Sequence, residues 1–184
     1  EYNQPDHIEH PYFVEYNPNP QWNNDFGGVH YNSGIINKIM YLVISGDIHY
    51  EIDVFPLDEN INISRELAAN IWFAWNSFYL DPEDDFEIGR EKMLLACNDL
   101  YPNQFNYYQT IASAWASTGI GSEIVFTQGD INLDQNINIL DIIELVNIIL
   151  SENADDEQLY LGDLNSDGNL NILDIIELIN IILI

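Results

Sequence analysis

Basic residues are scarce in this chain. Lys38, Arg65, Arg90 and Lys92 stand against 31 acidic residues, a formal charge of −27 over 184 residues. A chain this negative repels phosphate backbones and anionic membrane surfaces, which argues against nucleic acid as a partner. Charge of this sign suits bound cations, or a salty extracellular medium in which repulsion keeps the protein dissolved. Cysteine is nearly absent: Cys97 stands alone, so it cannot form an internal disulfide, and it occupies a helical pattern where a small buried apolar residue fits. No run of 18 or more apolar residues occurs, so a membrane span has no support. The chain starts at Glu1 without an apolar leader, as a fragment would whose targeting signal lies upstream. The pattern H-E-x-x-H is missing too, and "HIEH" at 7–10 lacks both its spacing and its adjacent glutamate.

Apolar residues, by contrast, are plentiful: 47% of the chain is hydrophobic and 12% aromatic, ample for a packed core in one medium domain plus a small one. Residues 1 to about 31 carry turn signals throughout and read as ordered loop. Within them His7 and His10 read as loop residues, and His49 further on has no evident partner. In "DFGGVHYNSGIINKIMYLV" (25–43), two glycines let the chain fold back and bring Asp25 towards the ring of His30. A histidine beside a helix is more often structural than catalytic, so this stretch alone decides nothing. Asn32 or Ser33 can cap the next helix, whose apolar positions Ile35, Ile36, Ile39, Met40 and Val43 recur at three and four residues before Gly46 stops it. A second helix is expected from a Ser64 cap, with Trp72, Trp75, Phe78 and Tyr79 as an aromatic face. A third is expected at about 87–100, carrying Ile88, Met93, Leu94 and Cys97, and a fourth at about 105–117. The acid run "LDPEDDFE" between the second and third reads as a solvated turn or an acidic helix start.

The rest of the chain is a repeat. Residues 129–150 recur as 162–183 with a period of 33, identical at 17 of 22 positions. In each copy, oxygen-bearing side chains fall at loop positions one, three, five and twelve: Asp130, Asn132, Asp134 and Asp141, then Asp163, Asn165, Asp167 and Asp174. Calcium takes six to eight oxygens, and alternate residues of a tight loop aim inwards while position seven, here Asn136 and Asn169, offers its backbone carbonyl. Asn138 and Asn171 at position nine can contribute through water. Two calcium sites are therefore expected in 129–184. Position six, which favours glycine, is Gly168 in the second loop but Gln135 in the first, so the first loop is expected to be strained or weaker. Ile142, Leu145, Val146 and Ile149, with Ile175, Leu178, Ile179 and Ile182, are expected to form the mutual core. Ile143, Ile148, Ile176 and Ile181 remain as a surplus for docking.

Each loop is followed by a helix, position twelve is Asp rather than Glu, and no helix of EF-hand length precedes the first loop. That pattern resembles type I dockerin domains, and the resemblance covers 129–184. It implies secretion and a cohesin-like partner selected at loop positions ten and eleven, here Ile139, Leu140, Ile172 and Leu173, or else docking within the molecule. The earlier part resembles the helical C-terminal lobe of thermolysin-like zinc metallopeptidases, carried by "DFGGVHYNSGIINKIMYLV", "PDH" at 5–7 and "AWASTGI" at 114–120. This resemblance implies that His30 assists at the tetrahedral intermediate of peptide hydrolysis while Asp25 orients its ring. Zinc, its ligands and the glutamate base would then come from residues outside the chain, and a polypeptide would be the substrate. A carboxylate beside an imidazole also fixes which ring nitrogen faces outwards. The expected architecture is mainly α: a peptidase helical lobe at 1–121, a linker at 122–128 and a two-loop–helix, EF-hand-like calcium domain at 129–184. Alone, the fragment is expected to be inactive. The rival reading is a non-catalytic extracellular scaffold with a degenerate peptidase lobe.

Overall fold

Isoleucines at helical spacing make the first long helix, α1 (Ser33–Ser45), and bury Ile35, Ile39, Leu42 and Val43. The structure is a computed structural model and describes residues 4–15, 17, 19 and 21–183. Parts of the loop expected at 1–31, at residues 1–3, 16, 18 and 20, lie outside the described residues. The chain divides into two compact units, Glu1–Ile124 and Val125–Ile184. Gly46 ends α1 as expected. The cap is different: Asn32 occupies the capping position, but its side chain reaches away to Val14, and the Ser33 hydroxyl bonds to the His30 carbonyl.

After Gly46 the chain makes an antiparallel hairpin of β1 (Asp47–His49) and β2 (Ile52–Val54), with Asp47 opposite Val54 and His49 opposite Ile52. Its turn residues, Tyr50 and Glu51, both adopt positive φ (45° and 68°). The usual Asn-Gly signal for such a turn is absent, which hides the hairpin in the sequence. Helix α2 (Ile61–Ala74) starts from Asn60, whose side chain accepts the Asn62 N–H. Ser64, expected as the cap, lies one turn inside and fully buried, where its hydroxyl donates to Ile44 O at 2.8 Å and ties α2 to the end of α1. The helix passes into a π turn (Trp75–Tyr79). Trp75 is buried, and its indole N–H donates to Gly89 O at 2.8 Å. Phe78, expected with Trp75 on one aromatic face, is 75% exposed, whereas Trp72 and Tyr79 pack against the core.

Helix α3 (Phe86–Leu100) is capped by Asp85, and the acid run before it is a tethered turn in which Lys92 Nζ bonds Asp81 and Asp84, each at 2.7 Å. Its inward stripe is Gly89, Arg90, Met93, Leu94, Ala96 and Cys97, and Ile88 of the same helix is 44% exposed. Burial pushes the Cys97 thiol up to about 12, as for an inert core residue. Helix α4 (Phe105–Ala116) runs through the centre, with Ile111, Ala112, Ala114 and Trp115 excluded from solvent.

In the second unit, α5 (Ile139–Ser151) packs on α7 (Ile172–Leu183), and a short α6 (Asp156–Gly162), which the sequence pattern does not signal, precedes the second loop. Leu145 and Leu178 form the centre, flanked by Ile142, Ile149, Ile175 and Ile182 as expected. Three positions differ: Val146, expected in this core, lies outside the cluster. Ile148 is buried in the cluster to which α6 contributes Leu161, whereas Ile179 is 38% exposed. Among the described residues the architecture is mainly helical, with one two-stranded sheet.

Candidate functional site

The segment Asp25-Phe26-Gly27-Gly28 adopts positive φ at four successive residues: 51°, 52°, 84° and 88°. A left-handed run of this length is rare, and each side-chain-bearing member costs about 1–2 kcal/mol. The sequence signalled the two glycines but not Asp25 or Phe26. The turn is held by Gln21, whose carbonyl accepts the N–H groups of Asn24 (3.1 Å) and Phe26 (2.9 Å). Gly28 permits a close approach that a side chain would block, since a Cβ there would lie 2.5 Å from Asn32 Nδ2 and 2.9 Å from Val14 Cβ.

This fold-back brings Asp25 Oδ1 within 2.6 Å of His30 Nδ1. The other carboxylate oxygen accepts the backbone N–H groups of His30 (2.8 Å) and Tyr31 (2.9 Å). Asp25 thus clamps both the ring and the backbone that carries it. Burial by itself would raise the Asp25 carboxyl, but the N–H groups of Tyr31 and His30 and the His30 ring outweigh it and hold the group below its ordinary value. With Nδ1 engaged and the side chain 75% exposed, the ring presents Nε2 outwards. Beyond Asp25 a second clamp operates: the Asn32 amide accepts Val14 N–H at 3.0 Å and donates to Val14 O at 2.8 Å, while Gln4 Nε2 donates to His30 O. The sequence does not reveal the roles of Asn32 and Gln4, because Asn32 is also a plain candidate cap and Gln4 lies in a loop far along the chain. A cavity of ≈ 750 Å³ runs along the back of the turn past Gly27, Gly28 and Val29, but His30 does not line it.

The other histidines are held apart from this site. His7 stacks on Tyr50 (centroids 3.9 Å apart) and its Nδ1 accepts the Glu9 N–H, His49 Nε2 lies 3.1 Å from Asp6 O, and His10 Nδ1 accepts the Tyr12 N–H. Among the described residues, no three His, Cys, Asp or Glu side chains are gathered as a metal cluster. The chain's own histidines therefore do not fit a zinc site.

The two repeat loops share one hydrogen-bond pattern. Asp130 accepts the N–H groups of Asp134 and Gln135, and Asp163 those of Asp167 and Gly168. Asp141 takes Ile131 and Asn132 on Oδ1 and Asn138 on Oδ2; Asp174 takes Leu164 and Asn165 on Oδ1 and Asn171 on Oδ2. The position-twelve aspartates thus staple each loop shut, and one lone pair on Oδ2 remains to each. Asn138 and Asn171, expected to act through water, cap the next helix by accepting the N–H groups of Leu140 and Leu173. Asn132 and Asn165 donate to Asp134 and Asp167, while Asn136 and Asn169 turn their side chains back onto the Asp134 and Asp167 carbonyls. Gln135 takes φ +67°, matching Gly168 at +81°, which agrees with the strain expected in the first loop. Asp130, Asp141 and Asp174 are at most 1% exposed. Residues 125–184 contain twelve acidic residues and no basic one. No three of these carboxylates are gathered into one group among the described residues, so the fit rests on donor chemistry: buried carboxylates without a cationic partner suit a cation, and an oxygen-rich set suits calcium rather than a softer metal. Ile139, Leu140, Ile172 and Leu173, at the start of the two helices, are all more than half exposed.

Residues 1–120 match the family described as Thermolysin metallopeptidase, alpha-helical domain, and residues 128–183 match Dockerin type I domain. Curated relatives include Neutral protease B of Bacillus subtilis (strain 168), 31% identical over 96 residues that make up 52% of this chain and 17% of the relative. Thermolysin of Alicyclobacillus acidocaldarius subsp. acidocaldarius is 31% identical over 119 residues, 65% of this chain and 19% of the relative. Bacillolysin of Brevibacillus brevis is 31% identical over 119 residues, 65% and 20% respectively. The chain spans about a fifth of the length of these relatives.

Proposed function

This chain belongs to the thermolysin metallopeptidase family through its helical domain, and from that membership we propose that it is the C-terminal part of a secreted zinc metalloendopeptidase equipped with a calcium-dependent docking module. The observation that carries the reading is the 2.6 Å contact of Asp25 with His30 Nδ1, on a turn clamped at both ends. His30 directs Nε2 towards a peptide carbonyl and, when protonated, donates a hydrogen bond to the oxygen that gains negative charge as the tetrahedral intermediate forms. Asp25 keeps the ring in one orientation through its contact with Nδ1. Zinc is assigned to residues outside these 184, which contain no H-E-x-x-H. Mutation tests the assignment in the full-length protein. His30→Ala should lower kcat by about two orders of magnitude, as expected for loss of one preorganised donor, with zinc content unchanged. Near-normal turnover would refute it.

In the second unit, Asp130, Asn132, Asp134, Asn136 and Asp141, and Asp163, Asn165, Asp167, Asn169 and Asp174, are the proposed calcium residues. The exposed aliphatic pairs Ile139–Leu140 and Ile172–Leu173 are the proposed face for a cohesin-type partner or for a surface of the same molecule. Titration calorimetry should find about two calcium ions per chain. The second reading is an extracellular scaffold without catalysis that keeps a degenerate peptidase lobe; the absence of a zinc cluster among the described residues fits both readings equally. Sequence upstream of Glu1 separates the two, because an H-E-x-x-H with a later glutamate ligand supports the peptidase and its absence supports the scaffold.

A further inference from the structure

We propose that Gln4 is a positioning residue that fixes His30 through its backbone carbonyl, an inference that rests on the peptidase reading of this site. The His30 carbonyl accepts Gln4 Nε2 at 2.6 Å and the Ser33 hydroxyl at 2.7 Å, so both of its lone pairs are filled. The N–H and Nδ1 of His30 are held by the two oxygens of Asp25. Of the polar atoms of His30, Nε2 alone is left without a hydrogen bond among the described residues. The two sets of bonds differ in reach. Asp25 stands 5 residues from His30 on the same turn, so its grip fixes the ring within the turn but not the turn against the core. Gln4 stands 26 residues away, at the start of a strap (residues 4–14) that is anchored elsewhere. Pro5 is buried, the Ile8 N–H donates to Thr118 O at 3.0 Å just beyond α4, and Ile8 and Phe13 pack against the core. Val14, at the far end of the strap, is held by Asn32. Both ends of the strap thus grip residues 30–32, and Gln4 is the end that touches His30 itself.

The start of α1 is shaped to admit this contact. Gly34 lies against the strap, where a Cβ would come within 2.5 Å of both Gln4 Cβ and Pro5 O. Any side chain there would push Gln4 away from the turn. Gln4 is exposed and lies outside the hydrophobic core, so packing does not account for its placement, whereas its bonds to the His30 carbonyl and to Ser33 Oγ (3.1 Å) do. A donor aimed at developing charge depends on its position: a displacement of about 1 Å can cost roughly a hundredfold in rate. One neutral hydrogen bond at an exposed site sustains less than that, about fivefold.

The test pairs Gln4→Ala with Gln4→Glu, which keeps the length and shape of the side chain but, ionised at neutral pH, has no proton to donate. In the full-length protein both variants should lower kcat about fivefold, with KM within about twofold of wild type and zinc content unchanged. Glutamate would replace a side chain that only filled space without loss, so a kcat within about twofold of wild type in Gln4→Glu overturns the assignment. The 184-residue chain supplies a second readout that needs no activity. Relaxation and relaxation dispersion at the His30 backbone N–H and ring Cε1, resonances identified by their loss in His30→Ala, should show added motion in both variants. Motion equal to wild type in both overturns the assignment, whatever happens to kcat. If the wild-type full-length protein hydrolyses no peptide, the peptidase reading fails, and the relaxation measurement alone decides whether Gln4 holds His30 in place.

Discussion

At the scale of single residues, two side chains make sharp predictions. His7 is 7% exposed, stacked on Tyr50, and held below its ordinary value chiefly by burial and also by nearby His49, against the opposing pull of Glu9 and Asp6. The unfolded chain therefore takes up a proton near pH 6.5 that the folded chain resists. Stability of the first unit should be flat above about pH 6.5 and decline as pH falls below it. Thermal scans at pH 7.5 and 5.5 check this, with the decline smaller in His7→Gln. The second side chain is Gln135, whose φ of +67° strains the first calcium loop where Gly168 relaxes the second. Gln135→Gly should relieve about 1 kcal/mol and raise calcium affinity of that loop roughly fivefold, whereas Gly168→Gln, in open space, should weaken the other loop by a similar factor. Calorimetry that resolves the two sites decides both.

At the scale of elements, the loop–helix units depend on their staples and on one leucine each. Leu145 and Leu178 are fully excluded from solvent and meet at the centre of the second unit. Leu145→Ala should cost about 2–5 kcal/mol in the calcium-loaded state, read from unfolding of the second unit in denaturant. Elements with strong period were legible in the sequence: α1, α3 and α4 lie where isoleucine, leucine and aromatic spacing put them, and the repeat marked α5 and α7. Elements set by backbone geometry were not. The hairpin turns at Tyr50-Glu51, residues that carry no turn signature, and α6 is only seven residues long. Ser64 looked like a cap because serine caps well, but Asn60 starts the helix and Ser64 bonds across to α1. The Asp25–His30 pair could be anticipated from two glycines. The Asn32–Val14 clamp could not, because it joins residues 18 apart through an asparagine that also stands at a helix start.

For the whole molecule, charge is the governing quantity. All four basic residues lie in the first unit, so the twelve acidic residues of the second have no internal counter-charge. On the proposed reading calcium supplies it, and binding to the folded form alone adds stability in proportion to the logarithm of free calcium. In chelator the 184-residue chain should lose the helicity of α5, α6 and α7 while α1 to α4 persist, as tracked by circular dichroism and by residue-resolved exchange. Helicity unchanged in chelator, with no heat of calcium binding, would contradict the coupling. Moderate salt should soften the loss by screening the exposed carboxylates, but it cannot replace a cation beside Asp141 and Asp174, which are buried.

The stapled, buried Asp141 and Asp174 have a consequence for how long the protein lasts. A segment whose shape depends on a dissolved ion becomes loose chain whenever that ion runs out, and loose chain rich in leucine and isoleucine is what an endopeptidase cuts. On the peptidase reading, each copy is then a threat to the tails of its neighbours. Calcium concentration thereby acts as a timer: ample calcium preserves the docking tail, and depletion trims it, releasing a peptidase that no longer docks. Trimming should accelerate with enzyme concentration, since one molecule cuts another, and the truncation should fall at or after Val125.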